Sequence, residues 1–286
     1  MKIVLTIFLT LVFGFIICTS CEQDVENVRY PEFKQKLIIA GFISPNNRHH
    51  FISVTSNRKI YGDLSTNETL GNLTATLSDN TREISLDTTI SGFVFRPSDL
   101  PVGEGKTYTL KVRSDKGLFA EASSTVPFNR SFALEIDTFR RVIDGPLNYR
   151  YSSFMSNFYF TDIQGEDNYY MFYCEQISYN SYYKISPSSN RFMGFENEYF
   201  NDKGRDGKRS LITTINIEET EAVDSSFLKV YLLNTDKAYF DYHKSLKNYS
   251  GGDDPFTEAS PIYSNIKGGL GIFAAYTVDS LIFRLK

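Results

Sequence analysis

The chain contains no tryptophan and only three cysteines and three histidines among 286 residues. Cys18, Cys21 and Cys174 are too few for the multi-bridge framework of small exported domains. The histidines leave little room for imidazole chemistry. His49 and His50 are neighbours, and adjacent side chains of a strand point to opposite faces, so they form no natural ligand pair. His243 has no second ligand at metal-binding spacing. A nucleophile elbow of the Gly-x-Ser-x-Gly kind is also missing. The acidic pairs Asp253-Asp254 and Glu218-Glu219 read as solvated charge rather than an acid–base couple. Residues 201–207 have calcium-loop composition but lack the alternating acidic ligands and the terminal Glu of an EF-hand. The expectation is therefore no catalytic residues, no metal, no cofactor and no enzyme. Charge excludes a further class. With 30 Lys+Arg against 34 Asp+Glu and no basic stripe, nucleic acid is not an expected partner. No apolar run reaches the roughly 20 residues that a membrane-spanning helix needs.

The run from Ile3 to Ile17 comes closest. It follows Lys2 and breaks into Cys18-Thr19-Ser20-Cys21 and then Glu22-Gln23-Asp24-Val25-Glu26. A cationic start, an apolar core of about 7–15 residues and a small residue before the cut make a secretory signal. This layout resembles a bacterial lipoprotein signal, with residues 1–20 removed and Cys21 lipidated. Bulky Ile17 before Cys18 makes that cysteine the poorer acceptor. Two or more acyl chains suffice for stable anchoring where one does not, so the expectation is a membrane tether through lipid on Cys21. Glu22, Asp24 and Glu26 have two readings: a solvated linker, or the acidic patch that resembles a cell-surface export signal of Bacteroidota lipoproteins. With Cys18 removed and Cys21 acylated, Cys174 has no disulfide partner. Its setting, Tyr169-Tyr170-Met171-Phe172-Tyr173-Cys174, suits a buried small hydrophobe.

Residues 21–35 have no periodicity and read as a tether. From 36 to 128, short alternating segments recur between turn signals: 37–43, 50–56, 73–78, 83–86, 93–95, 107–112 and 118–126. Tyr108, Leu110 and Val112 share one face. About seven such strands predict an immunoglobulin-like β-sandwich without the Cys and Trp hallmarks. Residues 129–286 form a second, aromatic-rich β domain. There Phe154, Phe158 and Phe160 share a strand face, 168–177 is apolar on both faces as a doubly covered strand would be, and 211–217, 227–233 and 280–284 are further strands. One helix is predicted over 236–248, with Asp236 as cap and Tyr239, Tyr242 and Leu246 as its apolar stripe. The fold class is thus mainly β: a sandwich followed by a second β-rich domain with one helix.

Two stretches carry a family resemblance. One is Gly105-Lys106-Thr107-Tyr108-Thr109-Leu110-Lys111-Val112 with 120–127 behind it. The other is Asp254-Pro255-Phe256 followed by Pro261-Ile262-Tyr263-Ser264-Asn265-Ile266-Lys267-Gly268-Gly269-Leu270-Gly271-Ile272-Phe273. Both are similar to the Bacteroidota lipoprotein family known as domain of unknown function 4249. The resemblance implies an outer-membrane lipoprotein often encoded beside a TonB-dependent receptor, and it implies no catalytic residues. Read by themselves, Asn265, Gly268, Gly269 and Gly271 suit a structural turn: the glycines permit positive φ or close backbone approach, and the Asn side chain closes turns. A phosphate cradle lacks its strand–loop–helix context and its Lys-Ser/Thr ending.

Aromatics are the remaining functional signal. Tyr169, Tyr170 and Tyr173 read as core. Tyr179, Tyr182 and Tyr183, set among Ser and Asn, are the candidate ligand or partner surface, because tyrosine offers rigid contact area with a polar handle. The expected function is a surface-exposed outer-membrane lipoprotein that binds a peptide, glycan or other nutrient, or assists a TonB-dependent receptor. The alternative is a structural or assembly component of an outer-membrane complex.

Overall fold

The computed structural model describes residues 32–59, 69–129, 134–144, 150–179, 188–192, 198–218, 225–249 and 260–285. One compact unit spans 35–58 and 66–286 and contains every strand and the helix named below. In the other, residues 1–34 with 59–65, the Lys59 ammonium lies 5.6 Å from the Phe33 ring centroid.

The chain is mainly β. Its first eight strands are β1 (Leu37–Ile43), β2 (His50–Ser56), β3 (Leu73–Ser78), β4 (Glu83–Ser85), β5 (Asp87–Thr89), β6 (Gly92–Phe95), β7 (Thr107–Ser114) and β8 (Phe119–Thr125). Then come β9 (Glu135–Asp144), β10 (Arg150–Thr161), β11 (Tyr169–Tyr179), β12 (Ser188–Phe192), β13 (Tyr199–Asn201), β14 (Arg209–Glu218) and β15 (Ser225–Thr235). Helix α1 (Lys237–Lys247) and β16 (Leu270–Arg284) complete the described elements.

A nine-stranded sheet runs β12-β11-β15-β16-β1-β2-β6-β5, with β13 also on β11. Two smaller sheets, β4-β3-β7-β8 and β14-β10-β9, accompany it. Strand alternation divides the large sheet into two faces. One face is closed twice. Leu37, Ile39, Ile52, Phe93 and Phe273 pack with Leu77, Tyr108, Leu110 and Val112 of the β4-β3-β7-β8 sheet. Further along the same face, Tyr170, Phe172, Cys174, Val230 and Leu232 pack with Phe158, Phe160, Ile212 and Ile215 of the β14-β10-β9 sheet. The opposite face carries Met171, Leu233, Ile272 and Ala274 against Tyr239 of α1.

Segments 36–128 and 129–286 are joined through this sheet. β16 pairs in parallel with β1, Ile38 opposite Leu270 through Ile43 opposite Ala275, and antiparallel with β15 along its other edge. The C-terminal strand thus gives Phe273 and Ala275 to the first core and packs Phe283 and Leu285 against the second. It starts at Leu270, ten residues before the expected 280, because the Gly-rich segment itself enters the sheet. In the first sandwich the Tyr108 hydroxyl donates to the Pro101 carbonyl at 2.6 Å and accepts from the Gly103 amide at 2.8 Å. That bond ties a fully buried ring to the loop before its own strand.

Helix α1 begins as its cap residue predicts. The Asp236 carboxylate accepts from the Tyr239 amide at 2.8 Å, satisfying one of the free donors of the first turn. Tyr239 and Phe240 are the buried positions. Leu246, expected on the apolar stripe, is instead 45% exposed. Lys244 and Lys247 occupy the last turn, where cations complement the helix dipole.

Candidate functional site

The open face of the large sheet contains a cavity of about 360 Å³. Its floor is Phe42, Met171, Leu233 and Val278, one residue from each of β1, β11, β15 and β16. These side chains share a face because each belongs to the parity opposite to the core-facing neighbours Ile43, Phe172, Leu232 and Thr277. Tyr173, Tyr231, Tyr239, Tyr276, Arg191, Asn46 and Asn47 complete the lining.

The aromatic wall is ordered by ring contacts. Tyr173 and Tyr231, directly opposite on β11 and β15, stack with centroids 4.5 Å apart and planes 16° from parallel. The Arg191 guanidinium carbon sits 4.0 Å from the Tyr173 centroid on the β12 side. Tyr239 meets Phe42 edge-on at 5.3 Å, and its hydroxyl donates to the Met171 sulfur at 3.2 Å. Burial pushes the Tyr173 and Tyr239 hydroxyls above the usual tyrosine range, so both stay protonated.

The β1–β2 turn forms the polar rim. Asn47 donates to the Ser44 carbonyl through its backbone, and its side-chain amide bonds the Tyr276 hydroxyl at 3.2 Å. Asn46 Oδ1 accepts from the Val278 amide at 3.3 Å and from Ser44 Oγ at 3.2 Å. The turn read in the sequence only as punctuation is therefore fastened across to β16.

The residues singled out in the sequence lie elsewhere. Cys21, Tyr182, Tyr183 and the Asp253-Asp254 pair fall outside the described residues. Tyr179 ends β11, 43% exposed, with its ring edge-on to Phe227 at 6.0 Å; it does not line the cavity. Tyr170 is core, its hydroxyl donating to Asp162 at 2.7 Å. Tyr173 departs from the core reading and faces the cavity.

Asn265 acts as a surrogate strand neighbour for Phe273, donating to its carbonyl at 2.7 Å and accepting from its amide at 3.0 Å. Gly268 and Gly271 have φ of 77° and 103°. A Cβ on Gly271 would lie 2.0 Å from the Ile39 carbonyl oxygen, and one on Gly269 would lie 2.7 Å from that of Leu37. The segment is glycine-rich where it approaches the β1 backbone.

His50 is buried and stacks on Phe95 at 4.5 Å, whereas His49 is exposed. Burial lowers the His50 pKa to about 4, opposed in part by the Phe42 backbone. His243 is lowered by burial too; its Nδ1 lies 2.9 Å from the Tyr239 carbonyl and its ring stacks on Tyr239. Both are neutral near pH 7. Cys174, pushed up by burial to about 12, is a thiol rather than a nucleophile. In the loop with calcium-like composition, Asp202 accepts from the Asn168 amide at 3.0 Å and Asp206 from the Gly165 amide at 2.7 Å. These carboxylates fasten neighbouring loops, and no group of three or more His, Cys, Asp or Glu side chains gathers among the described residues.

A family model described as Domain of unknown function (DUF4249) matches residues 22–282. No curated protein matches the chain.

Proposed function

The chain belongs to the DUF4249 family, and from that premise we propose that it is a ligand-binding lipoprotein of the outer membrane, held by acyl chains on Cys21, exposed at the cell surface and working as accessory partner of a TonB-dependent receptor. The observation that carries this reading is the cavity on the open sheet face. Its size falls within the range of small-molecule sites, roughly 300–1,000 Å³, and its apolar floor with a few convergent polar groups is the composition such sites use. The segment before Cys21 supports the anchor: an apolar run too short to span, ended by a small residue and a cysteine. Among the described residues no helix is long and apolar enough to cross a membrane.

The first sandwich is immunoglobulin-like in this reading. Its strand order, β1-β2-β6-β5 against β4-β3-β7-β8, supports the assignment. So does the back-bond of Tyr108, of the kind found at the tyrosine corner of such sandwiches.

The test is fractionation and affinity purification of the full chain from a Bacteroidota host. The wild type is expected in the membrane fraction, acylated, with a receptor barrel in stoichiometric yield; Cys21→Ala is expected in the soluble fraction. Membrane retention of an acylated Cys21→Ala protein would sink the anchor. A large assembly lacking a receptor would favour the scaffold role instead.

A further inference from the structure

We propose that the open-face cavity selects a small carboxylate with an apolar body, the carboxylate held by Arg191 and the body laid on Phe42, Met171, Leu233 and the stacked Tyr173–Tyr231 pair. This inference rests on the ligand-binding reading above and names its ligand class.

Charge comes first. Arg191 is the one charged side chain among the described residues that line the cavity, and no carboxylate lines it there. Glu175 stands opposite Arg191 in the β11–β12 ladder but is not part of the lining. A cavity with a single cation and a low-polarity floor favours an anion, because removing water from around the pair strengthens their attraction.

Geometry comes second. Arg191 places its guanidinium carbon over the Tyr173 ring, 4.0 Å from the ring centroid. Its N–H donors lie in the guanidinium plane and stay available at the edge, in the fork that matches a carboxylate through two parallel bonds.

The rim supplies the third argument. Asn46 Oδ1 is already taken by Val278 N and Ser44 Oγ, so this amide offers donors to the cavity. Asn47 and Tyr276 hold one another. No carboxylate lines the cavity among the described residues, and the acceptors it offers are neutral tyrosine and amide oxygens. An acceptor-only head group on an apolar body fits what is offered.

Two sources carry this chemistry: a free aryl or alkyl acid and the C-terminus of a peptide. Calorimetry on the detergent-solubilised full chain distinguishes them, with N-acetylphenylalanine and its primary amide as one pair and a capped Ala-Ala-Phe tripeptide, free or amidated at its C-terminus, as the other. Within at least one pair the acid is expected to bind about tenfold to a hundredfold more tightly than the amide. Binding of both acids assigns the peptide terminus as a source; binding of N-acetylphenylalanine alone assigns the free acid.

Arg191→Gln is expected to abolish that preference and leave the weak amide binding in place. Arg191 is exposed, so an unchanged melting temperature checks that the variant folds. Equal affinity for acid and amide, or a preference that survives Arg191→Gln, overturns the carboxylate assignment and leaves ligand binding standing. Binding of maltohexaose, lost in Tyr231→Ala, with neither acid bound does the same. Binding of none of these probes also overturns the assignment, while receptor co-purification decides the accessory role independently.

Discussion

The same strands build both faces of the large sheet, yet the faces differ in what they accept. On the closed face, odd positions of β16 such as Phe273 and Ala275 meet other strands and are wholly buried. On the other face the even positions Ile272 and Ala274 are also wholly buried, against α1, whereas Tyr276 and Val278, beside the β1–β2 turn, remain partly exposed. A sheet packed by another sheet along its length leaves no cavity, because side chains from both layers interdigitate. A sheet covered by an 11-residue helix cannot be closed across its whole width. The uncovered strip fills with tyrosines, whose rings shield the floor. Along the strip that α1 leaves uncovered, core packing and cavity lining consequently alternate along single strands.

The largest way to test that division is to empty the closed face. Phe172 is fully buried and its ring lies 5.2 Å from Phe158 of the opposing sheet. Phe172→Ala is expected to destabilise the fold by about 3–5 kcal/mol, read from urea unfolding, through lost burial and a residual cavity. A loss under 1 kcal/mol would mean that the closed face is not the stabilising one. Next comes the seam that joins the two cores. Gly271→Ala places a methyl against the Ile39 carbonyl at a positive φ, and is expected to remove about 1–3 kcal/mol by backbone strain. Hydrogen exchange would show faster opening of the β1–β16 pairing, and unchanged protection there would refute the seam.

How far this arrangement is written locally differs between the faces. β1 and β2 appear at 37–43 and 50–56 in both the sequence and the fold, because alternation and turn residues are local signals. The two-sided apolar character of 168–177 likewise announces a strand covered on both faces, which β11 is from Tyr170 to Phe172, while Tyr173 faces the cavity. Parallel pairing of β1 with β16 joins segments more than 200 residues apart, and nothing in either segment encodes the partner. The cavity is legible for the same reason only in fragments. Tyr173 belongs to a run that reads as core and Tyr231 to a strand with no face assigned, and their meeting depends on the β11–β15 register. Arg191 has no neighbouring motif. Tyrosine density drew attention to Tyr179, Tyr182 and Tyr183, of which Tyr179 is the last residue of β11 and the other two lie outside the described residues; the even–odd switch that places tyrosines on the open face is not visible in such a density.

Asp236 belongs to both faces and allows the comparison to be sharpened by pH. It caps α1 over the open face, and its other oxygen accepts from Ser124 of β8 at 2.5 Å and from the Ala275 amide at 3.3 Å. Burial raises its pKa from the ordinary 3.8 to about 6, against the opposing effect of those donors. Between these values the folded state holds a proton that the unfolded chain has released. Stability from this group therefore falls as pH rises from about 4 to about 6 and is flat above. Asp236→Asn keeps a capping oxygen and abolishes the titration. Relative to wild type it is expected to gain on the order of 1–2 kcal/mol between pH 4 and pH 7.5, measured as the difference of two melting curves at each pH. A wild-type-minus-variant difference that does not change with pH would show that the donors, rather than burial, set the carboxylate's state.

The smallest expected effect on stability concerns the open face itself. Tyr231 is half-buried, stacks on Tyr173, and has the Lys229 ammonium 4.9 Å from its ring centroid. An aromatic pair of this kind contributes about 0.5–1.5 kcal/mol beyond its burial, and part of the ring already faces solvent. Tyr231→Ala is expected to lower stability by roughly 1 kcal/mol, well below Phe172→Ala one strand away. It removes one of the rings proposed to carry the ligand body and the ring that stacks on Tyr173 beside Arg191. Binding of N-acetylphenylalanine should fall by about tenfold or more, with heat of binding as the readout. The two substitutions are thus expected to show opposite profiles, one losing fold and the other losing ligand. If Tyr231→Ala unfolded the protein as readily as Phe172→Ala, the tyrosines of the open face would be packing rather than recognition.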